Sequence, residues 1–254
     1  MTIRISLGNV GSGKTANEVR EMVLNRTKRI TFSNIIMKQP KITPHVKRLT
    51  FDKIITKQVV DTKKDRKTGE EKPIYELALN LDFWKKNKDP LNIVLDEAHS
   101  ILNSRRSMSK TNILMTDWVA LIRRVLGSTD AGYGEFVLIT QLPYRIDNIC
   151  RDMAQEIRYH ICSYQKMCLV CGGNWVETSE SPEHFFCCLI CGDERVKRQH
   201  FQIHIWHFTD FNSYWEWKDN GKPTYYKAYS VTNIEKYFGL YDTLQWDNLL
   251  SETY

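Results

Sequence analysis

Residues Ser6–Thr15 read "SLGNVGSGKT". The stretch fits G-x-x-x-x-G-K-[ST] with Gly8, Gly13, Lys14 and Thr15 in the required places. A motif this short also arises by accident, so its neighbours must supply a strand before it, a helix after it and a carboxylate partner elsewhere. "TIRISL" alternates Ile3 and Ile5 against polar residues, as a half-buried strand does. "KTANEVREMVLNR" places Ala16, Val19, Met22 and Val23 on one helical face. Strand, glycine loop and helix in that order predict a phosphate cradle over Gly8, Asn9, Val10, Gly11, Ser12, Gly13, Lys14 and Thr15. Its backbone N–H groups and the helix N-terminus point at anions. Glycine at 11 and 13 allows close approach of the main chain. Lys14 is expected on the β- and γ-phosphates of ATP, and the Thr15 hydroxyl on Mg²⁺.

Further along, "RITFSN" (29–34) reads as a second strand. "TKQVVDT" and "PIYELAL" alternate and flank the charged "KKDRKTGEEK", a hairpin whose mixed-sign tip is a solvated loop. The carboxylate partner then appears in "LNIVLDE" (91–97), a continuous apolar run ending in two acids, as a buried parallel strand does. Asp96 is expected to hold Mg²⁺, directly or through its water shell, and Glu97 to act as general base on the attacking water. Alternatively both acids merely cap the helix "EAHSILNS". Two matching halves in the right order, some eighty residues apart, argue against that.

"TNILMTDWVALIRRVLG" is an amphipathic helix with Leu114, Trp118, Leu121, Ile122 and Leu126 facing inward. "FVLITQ" (136–141) comes next as another buried strand, ending in Thr140 and Gln141 where α/β sheets bind ligands. Gln141 either reads the γ-phosphate or holds the attacking water. A strand lying between the first and the acid-bearing one would mark an additional-strand, catalytic-glutamate P-loop enzyme of the RecA type: an α/β fold with a central, mainly parallel sheet. No Asn/Thr-Lys-x-Asp guanine motif comes after it, which fits ATP over GTP.

The chain has 254 residues, 42% hydrophobic, with a net charge of +6. That length buries one good core plus a small appendage. The charge is compatible with nucleic acid without being diagnostic. No run approaches ~18 apolar residues and no apolar leader follows the first basic residue, so the expectation is a cytoplasmic protein.

"LDEAH", the following "RR" and "LIRRVLG", and above all "VLITQLPYRIDNICRDMAQEIRYH" resemble the zonular occludens toxin (Zot)-like family, in the FtsK–HerA division of P-loop ATPases. The resemblance covers about residues 1–165 and returns at the tyrosine-rich "YYKAYSVTNIEKYFGLYDT". It implies an oligomeric ring in which an arginine from one subunit completes the neighbour's site; Arg105 and Arg124 are the favoured candidates, with Arg106, Arg123 and Arg151 behind them. Many members follow this domain with a membrane helix, and none is present in this sequence, which favours a soluble motor.

"CLVCGGNWVETSESPEHFFCCLICGD" holds Cys168-x₂-Cys171 and Cys188-x₂-Cys191, with sixteen residues between the pairs. Each pair is followed by glycine, the pattern of a zinc ribbon, and four thiolates without histidine predict a closed, structural Zn²⁺ site. Strand-like flanks, "EIRYHICSYQK" and "VKRQHFQIHIWHF", place it as an insertion between two core strands. His200 and His204 share a face of the second, where a half-solvated strand is a simpler account than another metal. "YWEWKDNGKPTYYKAY" reads as a β-hairpin turning at "DNGKP". The expected division is an ATPase core (1–165), a zinc-ribbon insertion (166–194) and C-terminal strands and helix completing the core (195–254). The expected activity is ATP hydrolysis driving the translocation or packaging of double-stranded DNA. An ATPase for virion assembly or protein export, and a non-motor switch that binds a partner, remain open at this point.

Overall fold

A computed structural model describes residues 2–242 except 65–70, 87–89, 104–109, 126, 129–131, 174, 179–184 and 189. The chain begins with β1 (Thr2–Leu7), helix α1 (Lys14–Leu24), β2 (Thr31–Ser33), β3 (Val46–Arg48) and a single turn α2 (Phe51–Ile54). The hairpin β4 (Ile55–Lys64) and β5 (Glu71–Leu79) leads through α3 (Leu81–Lys85) to β6 (Asn92–Leu95) and α4 (Ala98–Ile101). Helix α5 (Lys110–Val125) and the two-residue strands β7 (Gly127–Ser128) and β8 (Gly132–Tyr133) precede β9 (Glu135–Thr140) and α6 (Asn148–Asp152). Two long strands, β10 (Glu156–Cys168) and β13 (Val196–Phe208), flank the short β11 (Trp175–Thr178) and β12 (Phe185–Cys188); α7 (Phe211–Asn220) and β14 (Lys227–Val231) come last.

Among the described residues, one sheet of eight strands runs β14-β13-β10-β1-β9-β6-β2-β3. The strands from β10 to β3 are parallel, and β13 and β14 add antiparallel at one edge. β9 lies between β1 and β6, the arrangement expected of an additional-strand P-loop fold. The apolar runs of β6 and β9, and the alternating β1, are buried because both faces are covered. Trp84 of α3, Trp118 and Met115 of α5 and Tyr214 of α7 pack one face against Ile5, Ile93 and Phe136. Val19 and Met22 of α1, with Tyr237 and Ile234, close the other face over Val94, Val137 and Ile203. Trp84, Trp118 and Phe136 form a chain of rings at 5.5–5.6 Å; emptying the buried Trp118 site would cost about 3–5 kcal/mol.

α1 buries more than its apolar stripe. Glu18 is fully enclosed, accepting from the Arg4 guanidinium at 2.7 Å and the Ser6 hydroxyl at 2.8 Å. This ion pair ties the strand before the glycine loop to the helix after it. Removing one partner strands a buried charge, at about 3–5 kcal/mol.

The segment expected as an aromatic hairpin is instead α7. Asp210 caps its N-terminus by accepting from the Ser213 N–H at 2.8 Å, and Gly221 ends it in the left-handed conformation at φ 68°. The helical spacing of Phe211, Tyr214, Trp215 and Lys218 outweighs the β-preference of the aromatics, because the rings pack into a cluster with Phe208 and Tyr159. Asp219-Asn220-Gly221 thus terminates a helix where it was expected to turn a hairpin.

Candidate functional site

β1 ends at the centre of the sheet, and the chain turns there through Gly8, at φ 151°. A Cβ on Gly8 would lie 2.4 Å from Ser12 Oγ and 2.6 Å from the His160 carbonyl, so no other residue fits. Gly11 and Gly13 have φ 74° and 83°, and a Cβ on Gly13 would meet Ile203 of β13. The loop is therefore packed from below by β10 and β13. His160 of β10 is completely buried: its Nδ1 donates to the Leu7 carbonyl at 3.1 Å, leaving Nε2 facing Asn17 of α1 at 3.5 Å. Burial pushes His160 down to about 3, so it stays neutral beneath the cradle.

Lys14 lies folded back over the loop, Nζ donating to the carbonyls of Gly8 at 2.8 Å and Asn9 at 2.9 Å. Burial lowers its pKa, against the fields of Asp96 and Glu97. The ammonium is thus held over the glycine loop at the N-terminus of α1, a position that fits a polyphosphate.

β6 delivers the acids to the same end of the sheet. The Thr15 hydroxyl donates to Asp96 Oδ2 at 2.9 Å. Asp96 Oδ1 accepts from the Glu97 N–H at 2.9 Å. Burial nonetheless pushes the Asp96 carboxyl up to about 6; a divalent cation between hydroxyl and carboxylate would favour the ionised form. Glu97 occupies the left-handed region at φ 51°, which turns its carboxylate out of the strand. There Gln141 Nε2 donates to Glu97 Oε1 at 3.1 Å, and His99 Nδ1 lies 3.3 Å from Glu97 Oε2. The residues expected to hold a metal (Thr15, Asp96) and to handle water (Glu97, Gln141) therefore meet at the carboxyl ends of β1, β6 and β9.

Three further neighbours complete the site, and the sequence reading singled out none of them. Asn34, just past β2, hydrogen-bonds the Asp96 main chain. His99 bridges Glu97 to Thr140, its Nδ1 lying 3.2 Å from Thr140 Oγ1. Arg145 lies close enough for its charge, with that of Lys14, to add to burial in lowering the His99 pKa; the "LPYR" after Gln141 was the available pointer. Arg105 and Arg106 lie outside the described residues, and of Arg123 and Arg124 only the place in α5 is described. Arg151 is engaged with Asn148 of its own helix.

β10 runs on past its pairing with β1, from Tyr159 to Cys168, roughly 30 Å of strand at ~3.3 Å per residue. At its tip Cys168, Cys171, Cys188 and Cys191 place their sulfurs within 4.8 Å of one another. The two halves repeat one geometry: Gly172 N–H donates to the Cys168 carbonyl, and Gly192 N–H to that of Cys188, with both glycines near φ 70–72°. The Val170 and Ile190 N–H groups point at the Cys168 and Cys188 sulfurs, each at 3.4 Å. Peptide N–H groups from Cys191 and Ile190 pull the Cys188 thiol down to about 7. This converging, N–H-supported set of four thiols fits a tetrahedral Zn²⁺. His204 forms no second centre: Ser163 and Ser230 occupy its two ring nitrogens at 3.2 and 2.8 Å.

Residues 2–168 match the family described as "Zonular occludens toxin (Zot)". No curated protein matches the sequence. Among solved structures the chain is similar to the N-terminal domain of zonular occludens toxin from Neisseria meningitidis, at 14% identity over 95% of this chain and 98% of that one, TM-score 0.46. It is also similar to the genome packaging NTPase B204 from Sulfolobus turreted icosahedral virus 2. In complex with AMPPCP the values are 15% identity, 62% of this chain and 74% of that one, TM-score 0.38. In complex with ATP-gammaS they are 14%, 80%, 91% and 0.35.

Proposed function

The chain belongs to the zonular occludens toxin (Zot) family, and on that premise we propose that it is an oligomeric ATP-hydrolysing motor that translocates or packages DNA. The observation that carries the enzymatic part is the meeting of Thr15 with Asp96, which joins the two halves of a Mg²⁺–ATP site. Bound Mg²⁺–ATP would supply the electrophilic phosphorus and neutralise its oxygens. Around it the chain's own groups have distinct tasks. Lys14 exchanges the Gly8 and Asn9 carbonyls for phosphate oxygens. Thr15 and Asp96 would hold the ion. Glu97, released from Gln141, takes a proton from water as the water oxygen bonds to phosphorus and the bond to the ADP oxygen breaks. Gln141, freed from Glu97 in the same exchange, would orient that water before it attacks.

An arginine from a neighbouring subunit, Arg105 or Arg124 in our reading, supplies the remaining positive charge. The four-cysteine tip is a structural Zn²⁺ ribbon (166–194) raised above the nucleotide end of a core formed by 1–165 and 195–254. Among the described residues no helix is long and apolar enough to cross a membrane. The test of the motor reading is phosphate release with and without double-stranded DNA. Stimulation of several-fold or more supports it; an identical rate at saturating DNA points to a protein-handling ATPase or a slow switch.

A further inference from the structure

We propose that Asn34 is a positioning residue that aims the Asp96 carboxylate at the metal; the inference rests on reading the site as a Mg²⁺–ATP site. β2 pairs with β6 as Thr31↔Asn92, Phe32↔Ile93 and Ser33↔Val94, and the pairing stops there. Two residues later β6 must still present Asp96, with no strand alongside on the β2 edge. The Asn34 side chain takes over the missing strand's role. Its Oδ1 accepts from the Asp96 N–H at 2.7 Å, and its Nδ2 donates to the Asp96 carbonyl at 2.9 Å. A carboxamide offers an N–H donor and a C=O acceptor side by side as a peptide does.

The splint matters because the residue after Asp96 is strained. Glu97 sits at φ 51°, a left-handed conformation that costs a non-glycine residue about 1–2 kcal/mol and persists only where its surroundings impose it. With the Asp96 peptide groups fixed from one side, Oδ1 closes onto the Glu97 N–H and Oδ2 is left facing the Thr15 hydroxyl. Asn34 is itself anchored. The Ser33 hydroxyl accepts from the Ile35 N–H at 3.1 Å. Farther on, Lys38 N–H donates to the Leu240 carbonyl and Asp242 N–H to that of Ile36, stitching the segment to the tyrosine-rich C-terminal stretch. Aspartate at 34 would keep the acceptor and face the Asp96 carbonyl with a second acceptor; alanine would remove both bonds.

The experiment compares wild type with Asn34→Ala and Asn34→Asp on the full chain. Thermal unfolding checks that the fold persists, and where Asn34→Ala melts early the near-isosteric Asn34→Asp carries the comparison. Three quantities are measured: affinity for a fluorescent ATP analogue in EDTA, Mn²⁺ affinity with nucleotide present by electron paramagnetic resonance, and the Mg²⁺ dependence of phosphate release. Loss of a residue that orients a metal ligand typically weakens metal affinity about 10–100-fold. We expect that weakening for Mn²⁺ and Mg²⁺, affinity in EDTA within about two-fold of wild type, and recovery of most of kcat at saturating Mg²⁺. Variants with wild-type metal affinity, or with nucleotide affinity in EDTA falling in parallel, would overturn the inference while leaving the site reading intact. Wild-type protein that takes up no Mn²⁺ with nucleotide would overturn both.

Discussion

Thr15 and Asp96 stand 81 positions apart in the chain, yet the hydroxyl of one donates to the carboxylate of the other at 2.9 Å. The contact spans β9, which separates β1 from β6, so it forms only because α1 begins at the level of the sheet where β6 ends. Every role proposed for the nucleotide depends on that convergence.

Glu97 is held by Gln141 and faces His99, and it stands directly after the metal acid. Glu97→Gln should bind ATP with wild-type affinity and hydrolyse it about 10²–10⁴-fold more slowly, the range for removing one positioned base. Single-turnover phosphate release measures this. A wild-type rate would move the base elsewhere.

The four convergent thiols predict about one zinc per chain in protein purified without chelator. Cys168→Ser with Cys188→Ser should lose the metal and retain ATP-analogue binding, because the tip stands away from the cradle. Metal analysis that finds no zinc in the parent protein would remove the ribbon.

His160 predicts an acid-labile fold. Unfolded, it takes up a proton near pH 6.5; folded, burial holds it neutral until about 3. A lowered pKa in the folded state contributes stability that is full above about pH 6.5 and is lost as pH falls toward 3, at up to ~1.4 kcal/mol per pH unit. Other groups titrate too, so the informative quantity is a difference. Between about pH 7 and pH 5, wild type should lose roughly 2 kcal/mol more in urea unfolding than His160→Leu, whatever the variant's starting stability. Parallel pH profiles would show that His160 is protonated in place.

Much of this site is legible in the sequence because glycine spacing and terminal acids are dictated by backbone geometry. Gly8, Gly13, Lys14 and Thr15 must follow a strand at fixed offsets, and Asp96-Glu97 must end one. The β4–β5 hairpin is read from alternation and β9 from its apolar run, while the place of β9 between β1 and β6 comes from the sheet order. The features that escape a sequence reading depend on tertiary neighbours. Asn34 and His99 act through single side chains that create no periodicity. The buried Arg4–Glu18 pair resembles ordinary surface charge at the sequence level. α7 reads as a hairpin since aromatic content favours strands in isolation, and only its packing against Tyr159 and Phe208 shows which period prevails.

The ring expectation predicts that specific activity rises with protein concentration. Arg105→Ala or Arg124→Ala should abolish turnover while sparing ATP binding, consistent with the ~10³–10⁵-fold contribution of trans arginines where they act. Mixing the inactive arginine variant with Glu97→Gln should restore partial activity through mixed interfaces. Concentration-independent hydrolysis with no rescue would leave each chain working alone.

The most direct test of the central claim is phosphate release from Mg²⁺–ATP by wild type, Thr15→Ala, Asp96→Asn and the double variant. If hydroxyl and carboxylate hold one ion together, hydrolysis stops in EDTA, each single variant loses most of the rate, and the double variant is hardly worse than the more damaging single one. Hydrolysis that persists in EDTA, or an Asp96→Asn protein turning over at the wild-type rate, would contradict it.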